Sequence, residues 1–256
     1  MTPNERREHI VTLIRQRGRI TVDELAEMLG ISHETVRRDL TRLADAGKVR
    51  KFHGGASLPL SGGEGPFSER MRRNALEKTR IARAAAALIA PGETLFVDTG
   101  STTLYLAEEL ARIEGLTVIT NSCEIARIIV ASGRRSRSFL LGGAFSSENR
   151  QTTGAMAMEH VRLFRAHHCM LTIGALDART GDMDYDHAEA QMARAMIEQS
   201  ASLTILVDSS KFGNIASFEV CPLSRIDNLV CDRRPDPPLA DALAAAGVRL
   251  HVAAEA

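Results

Sequence analysis

The stretch ISHETVRRDLTRLADAGKVRKFHGGAS, from Ile31 to Ser57, decides how the first part of this chain folds. Ser32 suits a helix N-cap, because its hydroxyl can accept from a free backbone N–H of the first turn. Val36, Leu40 and Leu43 fall at i, i+4 and i+7 and make one apolar stripe. His33, Glu34, Thr35, Arg37, Arg38, Thr41 and Arg42 stay off that stripe. A helix with a narrow buried stripe and several guanidinium groups on its early turns is built to meet something polar. An Arg can donate two bonds to one guanine edge, which discriminates between bases by about 1–3 kcal/mol. Taken alone, the segment also fits a solvated amphipathic helix laced by its own ion pairs.

The flanking sequence decides between these readings. Ile10, Leu13 and Ile14 share one face of a first helix, and Val22, Leu25, Ala26 and Leu29 share one face of a second. Gly30 supplies the turn before Ser32. Two helices, a tight turn and a third helix follow the helix-turn-helix order. Arg19-Ile20-Thr21 and Lys48–Phe52 read as short strands, with a bend at Gly54-Gly55, which makes the unit a winged helix-turn-helix. Arg37, Arg38, Arg42, Lys48, Arg50 and Lys51 face only Asp39 and Asp45 in this stretch, although the whole chain has a formal net charge of +0. A local positive excess is the footprint of phosphate contact. The DNA-contact candidates are Ser32, His33, Glu34, Thr35, Arg37, Arg38, Arg42, Lys51 and His53, the last two as wing contacts.

T-V-R-R-D-L followed by L-x-x-A-G-K-V-x-K-x-H-G-G-A resembles the DNA-binding signature of the DeoR family of bacterial transcriptional regulators. The run is long and specific.

Composition sets outer limits. The 256 residues suit a small domain plus a medium one. Aromatics are 4% with no Trp, so the core must be aliphatic and rich in Ala. No apolar run of about 18 residues suggests a membrane span, and MTPNERREHI lacks a signal-peptide core, so a cytoplasmic protein is expected. Cys123, Cys169, Cys221 and Cys231 form no C-x-x-C pair and read as buried free thiols.

Residues 1–57 form the expected DNA-binding domain, 58–70 a Gly/Pro-rich linker, and 71–256 a mostly parallel α/β domain. The spacing predicts a helix from Arg70 to Ala90, stopped by Pro91-Gly92. Beyond it, Leu95–Val97, Val118–Ile119, Phe139–Leu141, Met170–Ile173, Leu203–Val207 and Leu229–Cys231 read as strands alternating with helices. Leu239–Ala246 reads as a late helix and Arg249–Val252 as an edge strand.

Small and polar residues recur after these strands: Asp98 with Gly100-Ser101-Thr102-Thr103, then Thr120-Asn121-Ser122, Gly142-Gly143, Gly174, and Asp208 with Lys211. The carboxyl ends of parallel strands share one crevice, where ligands bind. The Gly-Ser-Thr-Thr turn leads into a helix whose N-terminus favours an anion. Lys211 adds positive charge, and Asp98 and Asp208 suit sugar hydroxyls. Any one loop alone is a weak signal; their convergence describes a site for a small phosphorylated polyol.

The resemblance continues through F-x-D-x-G-x-T-T, V-x-T-N-S and V-D-S-S-K-F-G, which look like the sensor domain of the same family. It covers the chain from about Arg6 to Asp232. It implies a fold like that of ribose-5-phosphate isomerase, and an effector role for Lys78, with Tyr185, Asp186 and Glu189 shaping the hydroxyl side. The implied function is a repressor of a carbohydrate or polyol catabolic operon, acting as a homo-oligomer on double-stranded DNA. A phosphorylated sugar or polyol such as glycerol 3-phosphate would release it. No catalytic residue, cofactor or metal is expected. Asp182-x-Asp184-x-Asp186 lacks the Gly of a calcium loop, and adjacent His167-His168-Cys169 point in different directions. A sugar-phosphate isomerase with a DNA-binding appendage is the rival reading, and it would need Asp98, Asp186 or Glu189 as a base.

Overall fold

Two units with separate cores, Met1–Gly62 and Gly63–Ala256, make up the computed structural model. It describes residues 2–17, 19–45, 48–52, 54–57 and 65–254. His53 and most of the expected linker, residues 58–64, lie outside the described residues.

In the first unit, α1 (Pro3–Arg17) leads to β1 (Arg19–Thr21), α2 (Val22–Leu29), α3 (His33–Asp45), β2 (Arg50–Phe52) and β3 (Gly55–Ser57). The strands pair antiparallel in the order β1-β3-β2, so the wing forms as expected. Thr21 and Glu24 close a capping box at the start of α2: the Glu24 amide donates to Thr21 Oγ1, and the Thr21 amide to Glu24 Oε2. Gly30 ends that helix at φ 62°, a left-handed conformation that costs glycine least. The predicted stripes converge, with Ile10, Ile14, Leu25, Val36 and Leu40 in one core. Asp39 lies on the core side of α3 at 1% exposure. Arg6 Nε donates to its Oδ2 at 2.6 Å, and Arg7 Nη1 lies 3.6 Å from its Oδ1. Asp39 is therefore matched by α1 and subtracts nothing from the exposed basic face.

The second unit begins with α4 (Phe67–Arg72) and α5 (Ala75–Ala86). The single helix expected from Arg70 to Ala90 is broken, because Asn74 between them takes a left-handed φ of 54°, and α5 stops short of Pro91. Then come β4 (Thr94–Val97), α6 (Ser101–Leu110), β5 (Thr117–Thr120), α7 (Cys123–Ala131), β6 (Arg137–Leu140), β7 (Ala144–Ser146), β8 (Gln151–Thr153) and α8 (Ala155–Val161). The chain continues through β9 (Ala166–Thr172), β10 (Ala175–Asp177), β11 (Gly181–Asp184), α9 (His187–Glu198), β12 (Ser200–Val207), β13 (Phe218–Cys221), β14 (Asn228–Cys231), α10 (Leu239–Ala245) and β15 (Arg249–Val252).

Seven of these strands form one all-parallel sheet in the order β15-β14-β12-β9-β4-β5-β6. They coincide with the six predicted strands and the predicted edge strand. Side chains alternate between two cores as a strand requires. Leu95, Val97, Val118, Met170, Leu206 and Val230 meet α5, α6 and α7. Phe96, Ile119, Cys169, Leu171, Ile205 and Leu229 meet α8, α9 and α10. A sheet buried on both faces explains the near-continuous apolar runs. Two smaller antiparallel groups, β7-β8 and β10-β11-β13, were not foreseen. Cys169, Cys221 and Cys231 are buried free thiols as expected, but Cys123 is partly exposed.

Replacing Arg6 with Ala would leave Asp39 buried against Arg7 alone. We expect the first unit to lose about 2–3 kcal/mol, since the change removes a hydrogen bond to a buried charged group and leaves Asp39 Oδ2 without that partner. Hydrogen exchange of the α1 and α3 amides measures this, and unchanged protection would refute it.

Candidate functional site

The strand order reverses between β4 and β9. From β4 the chain winds outward through β5 and β6, returns to β9 on the other side, and winds out through β12, β14 and β15. Helices after neighbouring strands then diverge, and a crevice opens beyond their carboxyl ends. Asp98 stands directly after β4, and its Oδ1 accepts the Thr172 amide at the end of β9 at 3.1 Å, bridging the switch. Gly100 is required here by space: a Cβ would lie 1.9 Å from Thr172 Cγ2.

The cleft at this point is lined by Asp98 and Thr99 after β4, Asn121 after β5, Gln151 of β8, and Thr172 and Ile173 at the end of β9. Asp182 and Asp184 of β11, Glu189, Met192 and Ala193 of α9, Val220 of β13 and Arg70 of α4 complete it. Its polar groups are interlocked. Thr99 Oγ1 donates to Asn121 Oδ1 at 3.1 Å. Asn121 Nδ2 reaches Gln151 Oε1 and the Thr152 carbonyl, each at 3.3 Å. Gln151 Nε2 donates to Glu189 Oε1 at 2.5 Å, and Asn149 Nδ2 to the same oxygen at 2.8 Å. Asp186 caps α9 by accepting the Ala188 and Glu189 amides, which sets Glu189 at the cleft.

Four carboxyl groups therefore share one wall. Burial pushes the Asp98 carboxyl well above the usual carboxylate range, against the pull of the Thr172 amide, and Glu189 and Asp184 push it further. Burial does the same to Asp182, reinforced by Asp184 and Asp98. Asp184 is raised to about 6, by burial first and by Glu189 second.

Of the expected effector residues, Asp98, Asn121 and Glu189 line this cleft. The others are not among its lining residues, and many hold the loops that carry those three. The Thr103 hydroxyl lies 2.9 Å from the Asp98 carbonyl, Thr120 Oγ1 accepts the Ser122 amide, and Ser122 caps α7. Ser101 and Thr102 are buried in the first turn of α6. Lys78 is only 4% exposed, and its ammonium donates to the carbonyls of Arg70 and Arg73 at 2.5 and 2.8 Å. It thus stabilises the break before α5, while burial lowers its pKa. Asp208 accepts from Asn74 Nδ2 at 2.8 Å, and burial brings Lys211 down to about 8. The Gly142 amide donates to His160 Nδ1, Gly143 is tight against the Thr153 carbonyl, and Gly174 lies under the Tyr185 ring.

Arg70, Gln151, Asp182 and Asp184 were not foreseen at the site. The alternation in Asp182-x-Asp184 was a legible signal, since residues two apart share a strand face. Arg70 and Gln151 arrive through tertiary contacts with no local signature. His167 accepts the Thr94 amide, His168 Nε2 lies 3.2 Å from Glu93, and among the described residues no group of three His, Cys, Asp or Glu converges to hold a metal.

On the first unit, His33, Glu34, Arg37, Arg38, Arg42 and Lys51 are exposed and Thr35 is partly so. Ser32 Oγ accepts the Thr35 amide, as the cap requires. Lys51 Nζ donates to Thr41 Oγ1 at 2.9 Å, tying the wing strand to α3. Arg37, Arg38 and Arg42 make no ion pair among the described residues.

Residues 6–61 match the family model of the DeoR-like helix-turn-helix domain, and residues 73–233 that of the DeoR C terminal sensor domain. The chain is 32% identical over 235 residues to the glycerol-3-phosphate regulon repressor of Escherichia coli (strain K12), covering 92% of this chain and 93% of that one. It is 31% identical over 239 residues to the HTH-type transcriptional repressor CsqR of the same strain, covering 93% and 91%. Against the HTH-type transcriptional regulator GolR of Listeria innocua it is 31% identical over 254 residues, covering 99% and 100%. Ribose 5-phosphate isomerase A from Neisseria gonorrhoeae aligns with a TM-score of 0.39 at 12% identity, over 54% of this chain and 53% of that one.

The raised Asp184 makes stability depend on pH. Its folded pKa of about 6 lies above the reference value of 3.8, so the folded state binds the extra proton and loses stability as pH climbs through that window. Asn in its place keeps the Oδ1 acceptor for the Asp186 amide, 2.9 Å away. Asp184→Asn should stabilise the second unit by about 1–2 kcal/mol at pH 7.5 and by almost nothing at pH 4. Thermal denaturation across that range measures it; a pH-independent effect would show that the carboxyl is not raised.

Proposed function

This chain belongs to the DeoR family of transcriptional regulators, and we propose that it represses a carbohydrate or polyol catabolic operon in the cytoplasm. In this reading a homo-oligomer holds operator DNA until a phosphorylated sugar or polyol enters the cleft at the β4/β9 switch. The observation that carries it is the pairing of an exposed guanidinium face on α3, with no ion pair among the described residues, with a polar cleft in the sensor unit. The names of two similar proteins, one a glycerol-3-phosphate regulon repressor, support repression.

Glu34, Thr35, Arg37 and Arg38 are the base-reading candidates on the first turns of α3. Ser32 caps that helix, and His33, Arg42 and Lys51 flank it as phosphate contacts. His53 is proposed from sequence alone. The effector's phosphate is assigned to the turn of Gly100, Ser101, Thr102 and Thr103 at the N-terminus of α6, where backbone N–H groups and the helix dipole favour an anion. Its hydroxyls are assigned to Asp98, Asn121 and Glu189. Release follows only if the ligand binds the DNA-incompetent state more tightly than the competent one. The family is one of regulators rather than catalysts, and no isomerase activity is proposed.

Fluorescence anisotropy on the upstream intergenic DNA, at fixed salt because phosphate contacts are steeply salt-dependent, tests both halves. Arg38→Ala is expected to weaken specific binding roughly tenfold or more; unchanged affinity would remove α3 from the groove. A phosphorylated compound such as glycerol 3-phosphate is expected to release the DNA where its dephosphorylated form does not. Tight DNA binding indifferent to every phosphate would refute the sensing half.

A further inference from the structure

Asp182 is fully buried, lines the cleft, and has no hydrogen-bond partner on either carboxyl oxygen among the described residues. A buried acceptor left unmatched carries a desolvation penalty that a ligand can relieve. Asp98, Asp184 and Glu189 line the same cleft, with Arg70 as the one cation among the lining residues. Arg70 Nη2 also reaches away to Asn149 Oδ1 at 3.2 Å.

Apart from the Arg70 guanidinium, four donors of the cleft are engaged within the protein. The Asn121 amide nitrogen binds Gln151 and Thr152, the Gln151 amide nitrogen binds Glu189, the Thr99 hydroxyl binds Asn121, and the Thr172 amide binds Asp98. The lining brings four carboxyl groups against one guanidinium. A hydroxyl brings one donor and also two lone pairs that would need donors of their own, whereas an ammonium brings three donors, no acceptor and a positive charge. The carboxyls do not gather on a point as a metal would need, because no group of three His, Cys, Asp or Glu among the described residues does so. An ammonium, whose hydrogen bonds to carboxylates run about 2.7–2.9 Å and need no closed coordination sphere, suits acceptors spread in this way.

Resting on the reading that the cleft binds a phosphorylated carbohydrate, we propose that the effector carries a primary amine, seated against Asp182, Asp184 and Glu189: a phosphorylated amino sugar or amino polyol. The Asp182 carboxyl fits this assignment. Burial disfavours its charged form, and a neighbouring ammonium favours it. Binding of the amine therefore expels protons, and binding of a neutral counterpart does not.

The test is calorimetric titration of the full-length protein with matched pairs: glucosamine 6-phosphate against glucose 6-phosphate, galactosamine 6-phosphate against galactose 6-phosphate, and serinol phosphate against glycerol 3-phosphate. In at least one pair the amine is expected to bind tenfold or more tightly. Its enthalpy should change with the ionisation enthalpy of the buffer in the direction of proton release. In Asp182→Asn that tenfold ratio should collapse towards one. The proton release is read on the unaltered protein, so it stands even if the variant fails to fold. Neutral members binding as tightly as their amines would overturn the amine and leave the phosphate reading intact. An amine advantage without proton release, or one undiminished in a folded Asp182→Asn, would also overturn it. Failure of every phosphate to bind would overturn both.

Discussion

A parallel sheet that reverses its winding must leave a gap, and this protein is organised around that gap. Because β9 returns to the far side of β4, the connections after these two strands run apart. The hydrogen bond from the Thr172 amide to Asp98 Oδ1 spans the two strand ends. Thr172 sits so close that the chain beside it can only be Gly100. The helix that follows, α6, then starts at the rim of the cleft. The position of the site is thus a consequence of topology, and the loops are built to meet it.

The antiparallel pieces give the cleft its chemical character. β10, β11 and β13 form a small sheet that brings Asp182 and Asp184 to the opening, and the β7-β8 hairpin brings Gln151 beside Asn121 and Glu189. Carboxyl groups taken out of water and set beside one another resist ionisation. Such a wall is costly to fold and is more easily understood as serving a ligand than as serving stability. Asp39 in the first unit shows the contrasting arrangement: equally buried, it meets Arg6 and Arg7 and holds α1 to α3. One buried acid is matched within the protein and supports a fold; the other, Asp182, has no hydrogen-bond partner among the described residues.

The first unit separates its tasks by helix face. Val36, Leu40 and Leu43 take α3 into the core, Asp39 fastens it, and Arg37, Arg38 and Arg42 remain exposed with no carboxylate partner among the described residues. The bond from Lys51 to Thr41 joins the wing strand to the same helix, so helix and strand present their cations on connected elements. Rigid presentation of this kind lets a few guanidinium groups read base edges.

Much of this was legible in the order of residues. The α3 stripe, its Ser32 cap, the Gly30 turn and the seven parallel strands are local patterns, since helix and strand periods are properties of neighbouring residues. Asp98 and Asn121 were also readable, as polar residues at strand ends, and Glu189 through the resemblance to the family's sensor domain. The break at Asn74 was not, because a left-handed residue inside a helical pattern leaves no mark in its periodicity. Nor were the short antiparallel strands, whose few residues carry too little alternation. The sequence by itself determined the helix-turn-helix with its wing, the seven parallel strands and the exposed basic residues of α3. Only the tertiary structure decided that Lys78 clasps carbonyls, that Arg70 and Gln151 reach the cleft, and that Asp182 is buried there unmatched. Burial and partnership depend on residues distant in the chain, and no local pattern records them.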